Sequence, residues 1–357
     1  MAKTSIKPAV ARYDDTLYID GGNAFVQAIY GDTKIKFPHS IAELDEVTWR
    51  STQDRFGDSK VKDFINVGKK YYVVGETAQS FYVTKLSGRA KYTRDYYGLL
   101  FARTVVELNR DERSDVIADV NIMASHTPQD FPFRKQLKDS IKGKWAFTCN
   151  KIKYNLSVND VQTYDEPFGS YANVAFVKKA VGRYDFPCSG KVVGVIDIGG
   201  GTCSCLMVDG EGHVQHAQSD NGTMGINDSM ALFKRILEED YNETFAQSRR
   251  IPEDRLRDAL QHGKFVGKGR ALDCKDQAAR ALTPLLNEIN SLYISKFDGG
   301  VSVDRIVLTG GGSILLEDRL KEMLDHGDVQ MADISKEIQY ANVSGAKTYM
   351  DVKATYL

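Results

Sequence analysis

The amino-acid sequence predicts an α/β protein of two lobes, each built on its own sheet. Three observations carry that prediction. The chain has 357 residues, more than one hydrophobic core ordinarily serves. A strand–acid–glycine unit occurs twice, as LYIDGGNAFVQAIY at 17–30 and VIDIGGGTCSCLMV at 195–208. A third glycine cluster, in RIVLTGGGSILLEDRLKEML at 305–324, separates an apolar strand pattern from a helical one.

The elements follow in order. Residues 17–36 are rich in hairpin signal, whereas 39–70 are polar and charged and predict an inserted subdomain. YYVVGETA (71–78) predicts a short strand and turn. Residues 94–110 have helical spacing, with Leu99, Leu100, Ala102, Val105, Val106 and Leu108 on one apolar face. VIADVNIMAS (116–125) predicts a strand, followed by HTPQDFPF and the helix RKQLKDSIKG. Residues 144–164 predict a β-ribbon and a further strand, and 169–182 a small-residue helix that ends before RYDFPCSGK. The second hairpin unit occupies 192–216. A charged helical block without strand signal runs from about 226 to 296, and 341–350 predicts another small-residue helix. The expected lobes are 1–183 plus about 336–357, with a subdomain inserted at about 37–95, and 184–335, with a helical one at about 226–296.

Composition excludes several classes. Apolar residues make up 42% and charged residues 27%, and 47 basic against 48 acidic residues leave a net charge of −1. Such a chain offers no global field to hold nucleic acid or an anionic membrane. The five cysteines (Cys149, Cys188, Cys203, Cys205 and Cys274) show no CxxC or zinc spacing, which predicts buried free thiols in a reducing cytosol. No signal peptide and no apolar run of spanning length is expected, so the expected location is cytoplasmic.

The glycines suggest the chemistry. Backbone N–H groups reach phosphates best where no side chain intervenes. An acid at the strand end cannot serve phosphate, but it can face Mg²⁺ through the metal's water shell. Each unit alone would equally serve a tight turn; two of them facing each other would grip one triphosphate, with Asp20 and Asp197 flanking one metal ion. The third cluster follows a strand and opens a helix at Ser313, where bare glycines admit a flat nucleoside. It is not GxGxxG, because Leu315 breaks the pattern, and no P-loop is present.

In this order and at these separations, the three motifs resemble the actin-like ATPase superfamily, and within it most closely the ParM and Alp group of plasmid-segregating bacterial actins and their archaeal relatives. The resemblance implies an actin-like (ribonuclease-H-like) two-lobed α/β fold with a duplicated β-sheet core and a nucleotide cleft between the lobes. It carries Asp20, Gly21, Gly22 and Asn23 onto the first phosphate loop, and Asp197, Gly199, Gly200, Gly201 and Thr202 onto the second. Gly310, Gly311, Gly312 and Ser313 match the adenosine motif. DVQTYDEPFGSYANV (160–174) resembles the connecting segment that positions the attacking water, with Glu166 at the expected place and Asp165 as the competing assignment. The helices from Gly169 and Ala341 resemble the interlobe hinge. Lys264 is a faint candidate for a nucleotide contact. One position departs: where actins usually carry a phosphate-reaching lysine at the end of the first loop, this chain has Gln27. The implied function is a filament-forming ATPase using Mg²⁺ and ATP, with GTP as the alternative. It would segregate plasmid DNA through a DNA-binding adaptor, without touching nucleic acid or membrane itself. The alternatives are a small-molecule kinase of the same superfamily and a weakly hydrolysing scaffold.

Overall fold

The computed structural model describes residues 16–56, 62–84, 86, 88–109, 115–180, 182–241, 251, 253–267, 270–332 and 337–356. The chain forms two compact units, Met1–Glu166 with Asn342–Met350, and Pro167–Ala341 with Asp351–Leu357. The units therefore part at Glu166/Pro167, ahead of the 183/184 division expected from the loop RYDFPCSGK.

The first unit is built on a nine-stranded sheet of order β3-β2-β1-β7-β9-β8-β5-β6-β4. Its strands are β1 (Thr16–Gly21), β2 (Phe25–Tyr30), β3 (Thr33–Pro38), β4 (Ile41–Leu44), β5 (Phe64–Val67), β6 (Lys70–Val74), β7 (Val116–His126), β8 (Gly143–Cys149) and β9 (Ile152–Asp165). β1, β2 and β3 form an antiparallel meander, while β1, β7 and β9 run parallel. In β2 and β3, Val26, Ala28, Ile35 and Phe37 turn into the core, and the alternate positions Gln27, Lys34 and Lys36 turn away, as one solvated face requires. The Tyr97–Leu108 helix packs on this sheet with every residue from Tyr97 to Val106 buried. Each large apolar side chain so buried contributes roughly 1.5–3 kcal/mol.

The polar stretch after residue 39 is not set apart. It contributes the Glu46–Phe56 helix, and its strands β5 and β6 join the main sheet through β8. A buried ionic network fastens it. Arg103 donates from Nε to Asp63 Oδ1 at 3.0 Å and from Nη1 to Glu107 Oε2 at 2.8 Å, Lys62 Nζ lies 2.9 Å from that same oxygen, and Asp63 Oδ2 accepts from Thr77 N at 2.9 Å.

The second unit has a five-stranded sheet of order β14-β13-β12-β17-β18. Two hairpins precede or flank it: β10 (Val177–Lys178) with β11 (Tyr184–Asp185), and β15 (Lys264–Gly267) with β16 (Arg270–Asp273). The sheet itself comprises β12 (Val193–Ile198), β13 (Cys203–Val208), β14 (Asp220–Asn221), β17 (Arg305–Thr309) and β18 (Val329–Met331). Every residue of β12 and β13 is buried, as strands covered on both faces should be. The helices Ile226–Asp240, Glu253–His262, Lys275–Phe297 and Gly311–Leu324 supply most of the remaining core.

Two expectations are corrected here. The block 226–296 is not wholly helical, because β15 and β16 interrupt it as a four-residue hairpin too short to show periodicity. The small-residue helix spans Glu166–Ala175 rather than 169–182. It starts earlier because an acid and a proline suit a first helical turn. It ends earlier because Val177 and Lys178 pair with Asp185 and Tyr184 around a turn closed by Gly182 N donating to Lys179 O at 2.9 Å. All five cysteines are free and buried, and burial pushes the Cys149, Cys203 and Cys205 thiols up to about 12. Thiols held so far above neutrality are unreactive. No described helix is long and apolar enough to cross a membrane.

Candidate functional site

In the first unit, three parallel strands end side by side. The β1–β7 register places Ile19 opposite Ala124, and the β7–β9 register places His126 opposite Asp165. Open parallel sheets bind ligands at such strand ends. Asp20 and Ser125 therefore become neighbours, and Ser125 Oγ donates to Asp20 Oδ1 at 2.8 Å. The same hydroxyl lies 3.4 Å from Glu166 Oε1. Asn342 Nδ2 reaches Asp20 Oδ2 at 3.4 Å. Burial pushes the Asp20 carboxyl above the usual range, opposed by Ser125, Asn342, the Lys91 charge and the Gly22 N–H. A desolvated acid of this kind fits a cation.

The loop after Asp20 is held from both sides. A Cβ at Gly21 would lie 2.5 Å from the Tyr97 ring, so only glycine lets that ring pack there. His39 Nδ1 donates to Gly22 O at 2.6 Å, and His39 N to Ala24 O at 3.0 Å. Asn23 is exposed. Gln27 stands opposite Asp20 across β1–β2 and opposite Lys36 across β2–β3. The hydroxyls of Tyr97 and Tyr164 are buried beside this cluster and have no hydrogen-bond partner among the described residues.

The two adjacent acids have different surroundings. Glu166 faces Ser125. Asp165 lies 3.5 Å from His126 Nδ1, whose proton is directed to Thr127 O at 3.0 Å. Burial pushes Asp165 up to about 7, with Arg134 opposing.

In the second unit, β12 and β17 run parallel with Asp197 opposite Thr309. Gly199 N donates to Thr202 O at 2.9 Å and closes the β12–β13 turn. The carbonyls of that turn point backwards, away from any anion: Ile226 N donates to Gly199 O at 3.1 Å and Asn227 N to Gly200 O at 2.9 Å. Gly225 permits this contact, since a Cβ there would lie 2.5 Å from Gly200 O and 2.6 Å from Gly201 N. Glu288 fixes the approach, accepting from Thr223 N, Thr223 Oγ1 and Met224 N at 2.8–2.9 Å. Gly225→Ala is therefore expected to displace the 199–201 turn and to destabilise the protein by about 1–3 kcal/mol, measurable by thermal unfolding. A loss within measurement error would mean that the turn yields freely.

Gly310 has φ +82° and ψ 160°, and a Cβ on it would strike the Asp197 carboxylate and Ile198 O. Gly312 packs on Ile198, whereas a Cβ at Gly311 would meet nothing within 4 Å. The helix begins at Gly311, two residues before the expected start. Ser313 is buried and donates its hydroxyl back to Thr309 O; Thr309 Oγ1 in turn lies 2.7 Å from Ser170 Oγ. Lys264 is exposed on the separate β15–β16 hairpin, outside the sheet that carries the other motifs.

The structure thus gathers Asp20 with Glu166 in one unit, and Asp197 with Gly199–Gly201 and Gly310–Gly312 in the other. Among the described residues no three His, Cys, Asp or Glu side chains are grouped to hold a metal ion. Magnesium that keeps most of its waters needs only one or two carboxylates. Sequence reading missed Ser125, Asn342, His39, Gly225 and Glu288.

Residues 19–169 match the family of actin-like proteins, N-terminal domain, and residues 195–322 match the archaeal actin homologue MreB-like family, C-terminal. The chain belongs to the actin-like proteins. Its fold is shared with solved structures over nearly the whole length. The archaeal actin homologue Ta0583, in a complex with ADP, is 18% identical with a TM-score of 0.68, covering 94% of this chain and 99% of that one. Alp7A is 12% identical with a TM-score of 0.73, covering 95% and 96%. A subunit of a 15-stranded ParM filament from Clostridium botulinum is 17% identical with a TM-score of 0.67, covering 95% and 99%. A search of curated proteins gave no sequence match to this actin-like protein.

Proposed function

We propose that this actin-like protein is a nucleotide-driven, filament-forming ATPase. The observation that carries this reading is the meeting of Asp20, Ser125 and Glu166 at the ends of three parallel strands. An acid suited to a cation there stands one hydroxyl away from an acid suited to orient water. The ADP complex of one structural relative and the filament of another support it.

In this reading the backbone N–H groups of Gly21, Gly22 and Asn23, and of Gly199, Gly200, Gly201 and Thr202, take phosphate oxygens. Gly310, Gly311, Gly312 and Ser313 border the nucleoside. Asp20 and Asp197 hold Mg²⁺ through its waters, and the bound ion supplies charge neutralisation. Glu166 orients and deprotonates the attacking water, so that hydrolysis proceeds by positioning and electrostatics. Head-to-tail contacts that do not close would generate the filament. Plasmid DNA would be moved through an adaptor, in keeping with the near-neutral charge, and ATP is preferred to GTP as the working assignment.

Light scattering of the purified protein after addition of Mg-ATP, with phosphate release followed in the same sample, tests this. The expected result is a rise in scattering that decays as phosphate appears. Phosphate release with no scattering at any protein concentration would favour a kinase. Scattering without phosphate release would favour a scaffold.

A further inference from the structure

We propose that Lys91 supplies the cation for the nucleotide's phosphates at the Asp20 loop, in the place that Gln27 leaves uncharged. This rests on the nucleotide reading above. Lys91 ends the short turn Gly88–Lys91 and is only 2% exposed. A buried ammonium is costly unless its protons are accepted. Among the described residues Lys91 Nζ donates no hydrogen bond, and its ion pair to Asp130 Oδ2 is stretched to 4.0 Å. That oxygen already accepts from the Tyr92 hydroxyl at 2.7 Å. The ammonium also lies 5.2 Å from the centre of the Tyr92 ring, a weak supplement.

The same charge acts on Asp20 and opposes the upward push of burial. A desolvated, under-bonded cation therefore stands beside the acid that opens the glycine loop. Phosphate oxygens brought to that loop would give the ammonium the acceptors it lacks. Lys36 is the other candidate, opposite Gln27 on β3, but its side chain is exposed and its ammonium rests 4.1 Å from the centre of the Phe25 ring. The acids facing Lys91, namely Asp130 and Asp20, are the reason for a second possibility, that it only balances their charge.

Lys91→Met separates the two, with affinities for ATP, ADP and adenosine measured by calorimetric titration in Mg²⁺ and melting followed without nucleotide. The expected result is ATP and ADP weakened about 10- to 100-fold, adenosine unchanged, and Gln27→Lys restoring at least about tenfold in the Lys91→Met background. Equal weakening of all three ligands, or none, would overturn the proposal while leaving the nucleotide reading intact. Failure of the unaltered protein to bind any of them would sink that reading itself. Should Lys91→Met not fold, Gln27→Lys alone decides: with Lys91 already serving phosphate it should strengthen ATP binding by less than about threefold, and a gain beyond about tenfold would overturn the assignment.

Discussion

Glu166→Ala is expected to slow phosphate release by about 10²- to 10⁴-fold while ATP affinity stays within about threefold, and to prolong the filament plateau accordingly. The expectation follows from where the carboxylate is held. Glu166 opens a helix, which fixes its backbone, and its Oε1 lies 3.4 Å from the Ser125 hydroxyl that also binds Asp20. The base and the metal-side acid thus share one small group, so a water ordered near one is ordered relative to the other. Glu166→Gln keeps the shape and removes the basicity, and should resemble the alanine variant in rate. Asp165 is the control. It faces His126 and is pushed up to about 7 by burial, so it is half-protonated near neutrality and turned to a different neighbour. Asp165→Asn with a lost rate, beside Glu166→Ala with a normal one, would exchange their roles.

Gly310→Ala is expected to cost more stability than alanine at any other glycine of the Gly310–Gly312 turn. At φ +82° and ψ 160° the backbone occupies a region open essentially to glycine alone, worth about 1–3 kcal/mol of strain for another residue. The added methyl would also collide with the Asp197 carboxylate and the Ile198 carbonyl, moving the acid it was meant to sit beside. Loss of nucleotide binding and a melting temperature several degrees lower should appear together. Gly311→Ala makes the converse test. Its Cβ would enter open space at the first turn of a helix, so the apo protein should hold or gain stability, by up to about 1 kcal/mol. If the nucleoside covers this turn, affinity should nonetheless fall. Unimpaired affinity in a stable Gly311→Ala protein would remove the nucleoside from that position.

Much of the site's frame was legible because its parts are local. A strand, an acid and a glycine turn lie within a few residues of one another, and the same pattern appears at Asp20 and at Asp197. The parts that escaped reading are those that only register creates. Ser125 reaches Asp20 across a separation of 105 residues, and Asn342 across 322; no local pattern marks either. His39, Gly225 and Glu288 support the loops from behind, and each looks in sequence like an ordinary loop or helix-surface residue. The hairpin of β15 and β16 was missed because four-residue strands give too few alternations to outweigh the helical sequence around them. The polar stretch after residue 39 was taken for a separate subdomain because its burial is ionic: Asp63 and Lys62 meet Arg103 and Glu107 on a helix some forty residues away. An apolar pattern cannot report such a contact.

The first unit closes only with Asn342–Met350. On a ribosome adding about 5–20 residues per second, the interval between Glu166 and Asn342 lasts on the order of 10–35 s. Throughout that interval the nascent chain holds Asp20 without the amide that reaches its second oxygen. A newly made molecule therefore gains its complete first loop only as its final segment emerges, and an unfinished chain has no finished surface with which to join its neighbours.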